Sequence, residues 1–231
     1  MDFNISVYGE IPLGDGWRLL ITSTTISTWF AMVVLISLAV VVRIKVKNFT
    51  PVPVTRFQKV IEALVELFEN FGKGTLSEKY HFTDLGSWFF GMFALIWTMN
   101  LSGLLGFRPA TADVMTTAAF GISTFIILHY TWIKVRAPKG YIKDFMQPNP
   151  LFFPINLISE IALPVALSFR LFGNVLGGVI ILGMVYGMFP VFMRLGIPAA
   201  LHVYFDLFSG SLQAFIFTIL SMTFIRSKLP D

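Results

Sequence analysis

The 231-residue chain has no cysteine, which excludes a disulfide framework and a thiolate metal site. It has only three histidines, and they form no metal-binding cluster. No phosphate loop or nucleophile motif occurs either, so chemistry on a bound substrate has no machinery in this sequence and no cofactor is expected. Charge is scarce: Asp, Glu, Lys and Arg make up 13% of residues, against 55% hydrophobic ones. No internal repeat or low-complexity tract is visible. The start, Met1-Asp2-Phe3-Asn4, carries no basic leader and no transit-type segment, which favours a bacterial inner membrane as the expected location.

What remains is apolar, with a mean hydropathy of +0.75. Five stretches reach the roughly 20 residues a bilayer crossing needs. They run from Ile21 to Val42, Leu85 to Phe107, Val114 to Ile133, Leu151 to Tyr186 and Pro198 to Ile225. The last two exceed one perpendicular crossing, so they are expected to tilt, kink or run partly in the membrane plane. Pro164 removes a backbone donor from the fourth, which predicts a bend near Glu160. Between the first two spans, Phe57, Val60, Ile61, Leu64, Phe68 and Phe71 recur at helical spacing, with Gln58, Lys59, Glu62, Glu66 and Glu69 opposite. Thr55 and Gln58 have capping-box spacing, and residues 55–71 are expected to form an amphipathic helix at the cytoplasmic surface. The alternative is a short soluble subdomain.

The basic residues set the orientation. With residues 1–20 outside, thirteen of the 17 Lys and Arg fall on the cytoplasmic side. Arg18, Arg108 and Arg194 fall outside, and Arg170 falls within the fourth span. The sequence therefore predicts an all-α integral membrane protein of one domain, with about five membrane-embedded helices and one amphipathic surface helix. Its N-terminus is outside and its C-terminus cytoplasmic. The basic balance reflects this topology and not a nucleic-acid partner.

Arg170 is the most informative residue. A permanent cation inside an apolar run costs roughly 2.5–3.5 kcal/mol on insertion scales, and arginine cannot escape by losing its proton. It calls for an ion path or a buried anionic partner. Asn174 shares its helix face four residues on, and Asn156 and Glu160 form a similar pair nearer the cytoplasm. On the fifth span His202, Asp206, Ser209 and Gln213 follow 4-3-4 spacing, one polar stripe on an apolar helix. If the two helices face each other, Arg170, Asn174, Asp206 and Gln213 would surround a hydrated seam. Gly173, Gly177 and Gly178 beside the arginine would let another helix approach closely. Two plainer readings stand alongside: Arg170 in an ion pair with Glu160 or Asp206, and Asp206 as a helix-stabilising partner of His202. His81 and His129 lie near span ends, as interfacial residues do. Asp113 is placed to cap the third helix.

Arg170-Leu171-Phe172-Gly173-Asn174, followed by Leu212-Gln213-Ala214-Phe215-Ile216-Phe217, resembles subunit a of the F-type ATP synthases. Ala110-Thr111-Ala112-Asp113-Val114 and Pro154-Ile155-Asn156-Leu157-Ile158-Ser159-Glu160 resemble further stretches of that family, in order along nearly the whole chain. The resemblance implies a non-catalytic stator beside a rotating ring of c subunits, with a subunit b stalk and the remaining ATP synthase subunits as partners. Two half-channels would carry protons or sodium ions to and from the ring carboxylates. It makes Arg170 the stator cation, with Asn174, Asp206 and Gln213 on the ion path. Asn156, Ser159, Glu160, His202 and Ser209 would be candidate channel lining, and Gly173, Gly177 and Gly178 would face the rotor.

The chain also departs from its relatives. Val179 stands where some carry a glutamate, Asp206 where some carry a histidine, and Leu163 where many have a basic residue. A rival reading, a self-contained secondary transporter, would predict an internal repeat and a midplane pocket. A purely scaffolding subunit would have no need for Arg170.

Overall fold

The computed structural model describes residues 7–14, 17–47, 49, 55–75, 83–188 and 196–229. His81, Arg194, residues 1–6 and the side chain of Phe71 lie outside the described residues. Five helical stretches are long and apolar enough to cross a membrane: Ser23–Val46, Leu85–Leu105, Val114–Arg136, Pro150–Met188 and Ile197–Lys228. The five expected spans are therefore present, in a multi-pass helical membrane protein.

One element was not anticipated. Strands β1 (Val7–Gly14) and β2 (Trp17–Thr22) pair antiparallel ahead of the first helix, with Glu10 opposite Leu20 and an Arg18–Glu10 ion pair at 2.8 Å. The Asp15-Gly16 dipeptide between them is the hairpin signal in the sequence. Helix α1 (Ser23–Val46) follows, with Thr22 as a reciprocal capping box with Thr25. Its membrane face is largely exposed. Contacts to the rest concentrate near its start, where Ser27 Oγ donates to the Arg108 carbonyl at 2.8 Å and Thr24 Oγ1 to Asp113 Oδ2 at 3.2 Å.

Helix α2 (Arg56–Thr75) is the amphipathic segment, and the Gln58 amide donates to Thr55 Oγ1 at 3.2 Å as the cap spacing predicts. Its rotation turns Gln58 toward the rest of the chain. Gln58 is buried and bonds Glu62 Oε1 at 2.7 Å, whereas Val60 and Leu64 are exposed. Two contacts fix this rotation: Phe68 packs on Phe90 and Phe93 at 4.8 and 5.2 Å, and the Lys45 ammonium lies 4.5 Å over the Phe57 ring.

Helix α3 (Thr83–Leu101) tightens into a 3₁₀ turn over Ser102–Leu105, which Gly106 closes at φ 81°, a left-handed conformation suited to glycine. A short 3₁₀ turn, Ala110–Ala112, leads into α4 (Val114–Phe145), and Asp113 Oδ1 caps it by accepting from Met115 N at 2.9 Å. Helix α4 extends well beyond the expected Ile133. Helix α5 (Phe153–Met188) runs through Pro164 as one assigned helix.

Proline cannot donate to the Glu160 carbonyl, but the Pro164 carbonyl is itself well used, accepting from Ser168 Oγ at 2.7 Å. Gly121 of α4 sits against this turn, and a Cβ there would lie 2.6 Å from the Pro164 oxygen. The α4–α5 packing thus depends on a missing methyl. Gly121→Ala should cost about 1–3 kcal/mol, the range for overpacking, read as a lowered Tm of the solubilised complex. An unchanged Tm would refute the close approach.

The last membrane segment is the largest departure from expectation. It consists of α6 (Ile197–His202), a π-helical turn over Val203–Ser209, and α7 (Gly210–Lys228). Phe89, Ile96, Met99, Leu128, Leu171, Phe217, Met222 and Ile225 are fully buried and form the core between α3, α4, α5 and α7.

Candidate functional site

Helix α5 carries Asn174 and α7 carries Gln213, and the two amides meet: Asn174 Nδ2 donates to Gln213 Oε1 at 2.6 Å. Gln213 is buried, and its own Nε2 has no hydrogen-bond partner. One π turn earlier, the buried Asp206 accepts from His202 Nδ1 at 2.6 Å, and Tyr186 of α5 lies 3.2 Å from the other ring nitrogen. Asn174, Asp206, Ser209 and Gln213 share a small cavity with Asn100, Pro109, Val175, Gly178, Phe205 and Gly210. It measures about 10 Å³, room for about one water molecule. Three of the four residues expected on the seam, Asn174, Asp206 and Gln213, are therefore brought together, with Ser209 of the polar stripe beside them.

Arg170 stands apart from this cavity. Its side chain is exposed, and no described residue pairs with it. The plainer reading, an ion pair with Glu160 or Asp206, is not realised. Both carboxylates are engaged elsewhere: Asp206 with His202, as its own plainer reading had it, and Glu160 with Lys228 at the end of α7. Gly173 and Gly177 lie on the open side of α5, where an added Cβ would meet nothing within 4 Å. Gly178 does not share that face. It is buried, and a Cβ there would come within 3.1 Å of the Phe205 ring, so its smallness serves the π turn.

Toward the other end of α5 the expected Asn156–Glu160 pair separates. Asn156 Nδ2 donates to the carbonyls of Phe145 and Gln147 at 2.9 and 3.1 Å, tying down the loop from α4, and Ser159 Oγ bonds the Ile155 carbonyl. Glu160 is buried among polar and aromatic neighbours. The Lys228 ammonium that meets it also lies 4.4 Å over Trp132, whose Nε1 donates to Asp144 at 3.1 Å, and Arg136 reaches the same carboxylate at 3.4 Å. His129 bonds the Phe125 carbonyl within its own helix.

Sequence reasoning missed the floor of the cavity. Thr111 Oγ1 donates to Asn100 Oδ1 at 2.5 Å, and Asn100 Nδ2 donates to the Gly210 carbonyl at 2.9 Å, a fully buried relay linking α3 to the start of α7 just after the π turn. The signal available was an asparagine within an otherwise apolar span, which demands a partner. Lys228 was read only as a topology marker.

The geometry defines a class: a multi-pass helical membrane protein with a polar seam between α5 and α7 and, among the described residues, an exposed cation, Arg170, on a membrane-spanning helix. Comparison with known sequences goes further. The profile of the family described as ATP synthase A chain matches residues 25–226. The sodium ion specific ATP synthase subunit a of Propionigenium modestum is 37% identical over 228 residues, covering 91% of this chain and 75% of that protein. Subunit a of Moorella thermoacetica is 33% identical over 213 residues, with 90% of each chain covered. That of Desulfosudis oleivorans is 37% identical over 216 residues, covering 88% and 86%. The chain belongs to the ATP synthase A chain family, the ion-conducting stator subunits of F-type ATP synthases, which are not catalytic on their own.

Tyr141 gives a test of the charge at Glu160. Burial first, and the Glu160 charge second, raise its phenol above the ordinary value of 10.0. Glu160→Gln removes the second cause, so the phenol should ionise at lower pH. Ultraviolet difference titration against Tyr141→Phe reads this directly, and an unmoved midpoint would refute a charged Glu160.

Proposed function

We propose that the α5–α7 seam passes ions to and from the carboxylates of a rotating c-subunit ring, with Arg170 as the fixed cation the ring must pass. One observation carries this: Arg170 is exposed on α5, beside the open faces of Gly173 and Gly177, with no counter-charge among the described residues. A cation at that depth is costly, so its partner is expected from another subunit. A rotor carboxylate approaching it would have its pKa lowered by roughly 1–3 pH units, at about 1.4 kcal/mol each. That discharges the bound ion. The same charge opposes direct flow between the half-channels, so transport must proceed by rotation.

Asn174 and Gln213 line the path one helical turn from Arg170, and Asp206 with His202 and Ser209 relays ions in the outer half-channel. Asn156, Ser159 and Glu160 line the inner one, where Lys228 balances the Glu160 charge. The coupled ion is a proton or a sodium ion. The sodium ion specificity in the name of the Propionigenium modestum relative makes sodium the second ion to assay. The Lys and Arg asymmetry supports an N-terminus outside and a cytoplasmic C-terminus, and a subunit b stalk holds the stator in place.

ATP-driven ion uptake in inverted membrane vesicles tests the proposal. At matched complex levels, Arg170→Ala should lose at least tenfold in uptake. Arg170→Lys should also be severely impaired, since it keeps charge but loses the planar fork. Unimpaired uptake in Arg170→Ala would make the residue a structural charge and end this reading.

A further inference from the structure

We propose that Gly103 is a positioning residue for ion transfer, the site whose missing side chain determines where the Asp206 carboxylate sits. The proposal rests on the relay role of Asp206 given above. Gly103 lies in the 3₁₀ turn that follows α3, and it is buried. A Cβ built on it would stand 2.7 Å from Asp206 Cγ and 2.8 Å from each carboxylate oxygen. All three carboxyl atoms therefore lie in the volume that any other amino acid would fill. The backbone of Gly103 does not require glycine, because its φ is outside the left-handed range; the requirement is space.

The contact is reciprocal. Three residues before Gly103, Asn100 projects toward Gly210, where an added Cβ would stand 2.9 Å from Asn100 Cβ. Each element thus contributes one glycine that receives the other's polar side chain. Asn100 Nδ2 locks the arrangement by bonding the Gly210 carbonyl, and Thr111 holds Asn100 from behind. Between the two notches lies the π turn, with Asp206 directed at Gly103 on one side and His202 one turn back. Filling the Gly103 notch leaves the carboxylate nowhere to go but away from that seat, and the 2.6 Å contact with His202 and the cavity shared with Gln213 are disturbed together.

The test uses the intact complex with Gly103→Ala, Asp206→Ala and the double variant, reading ATP-driven uptake of protons and of sodium ions and the Tm of the solubilised complex. Gly103→Ala should lower uptake about tenfold and lower the Tm. In the double variant the Tm should recover, because the clash is gone, and uptake should be no lower than in Asp206→Ala alone. A merely structural glycine would be costly in both backgrounds, so a Tm loss that persists in the double variant overturns the proposal. So does Gly103→Ala with wild-type uptake while Asp206→Ala is impaired. Full uptake in Asp206→Ala would instead remove the relay role of Asp206, and the functional meaning of the notch with it.

Discussion

Inside a bilayer backbone polar groups must find their partners within the protein, and the contact between the end of α3 and the junction of the π turn with α7 meets that demand among the described residues. Thr111, Asn100 and the Gly210 carbonyl form an unbroken buried relay, and Asp206 and His202 satisfy one another beside it. Because this floor is fixed, α7 leaves it in one direction and brings Gln213 to Asn174 of α5. Arg170 is conspicuous by contrast. It is an exposed cation on the open side of α5 that no described residue pairs with.

The π turn also explains how a polar stripe of 4-3-4 spacing can work across two neighbours at once. A regular helix would present His202, Asp206, Ser209 and Gln213 along a single face. Widening the turn over Val203–Ser209 seats Phe205 on Gly178 while Asp206 fits against Gly103, so one segment packs an aromatic ring on α5 and a carboxylate on the 3₁₀ turn that follows α3. Single-turn π segments are rare and occur frequently at functional sites.

Hydrophobic run length made the five spans legible, and helical spacing made the α5–α7 seam legible in Asn174, Asp206 and Gln213, though not the position of Arg170 outside it. Both are local properties of sequence. What escaped notice was steric and therefore non-local. Nothing in the neighbours of Gly178 says that Phe205 will press on it, so grouping it with Gly173 and Gly177 mistook an inward glycine for an outward one. The rotation of α2 is likewise not written in its own sequence, since Phe90, Phe93 and Lys45 contribute to it from other helices. The π turn has no composition signature, and the N-terminal hairpin was overlooked because hydropathy dominated the reading of a segment whose Asp15-Gly16 dipeptide was in view.

Helices α5 and α7 are joined at two separate places, Asn174 to Gln213 and Glu160 to Lys228. Along each helix these points are about 14–15 residues apart, or about 21–22 Å at 1.5 Å per residue. Two helices held at a single contact can pivot about it like scissors. Held at two contacts so far apart, they behave as a braced beam whose crossing angle is fixed as well as its spacing. A subunit that stands still while a neighbour turns against it experiences sideways load, and bracing of this kind resists shear without requiring a large buried interface between the two helices.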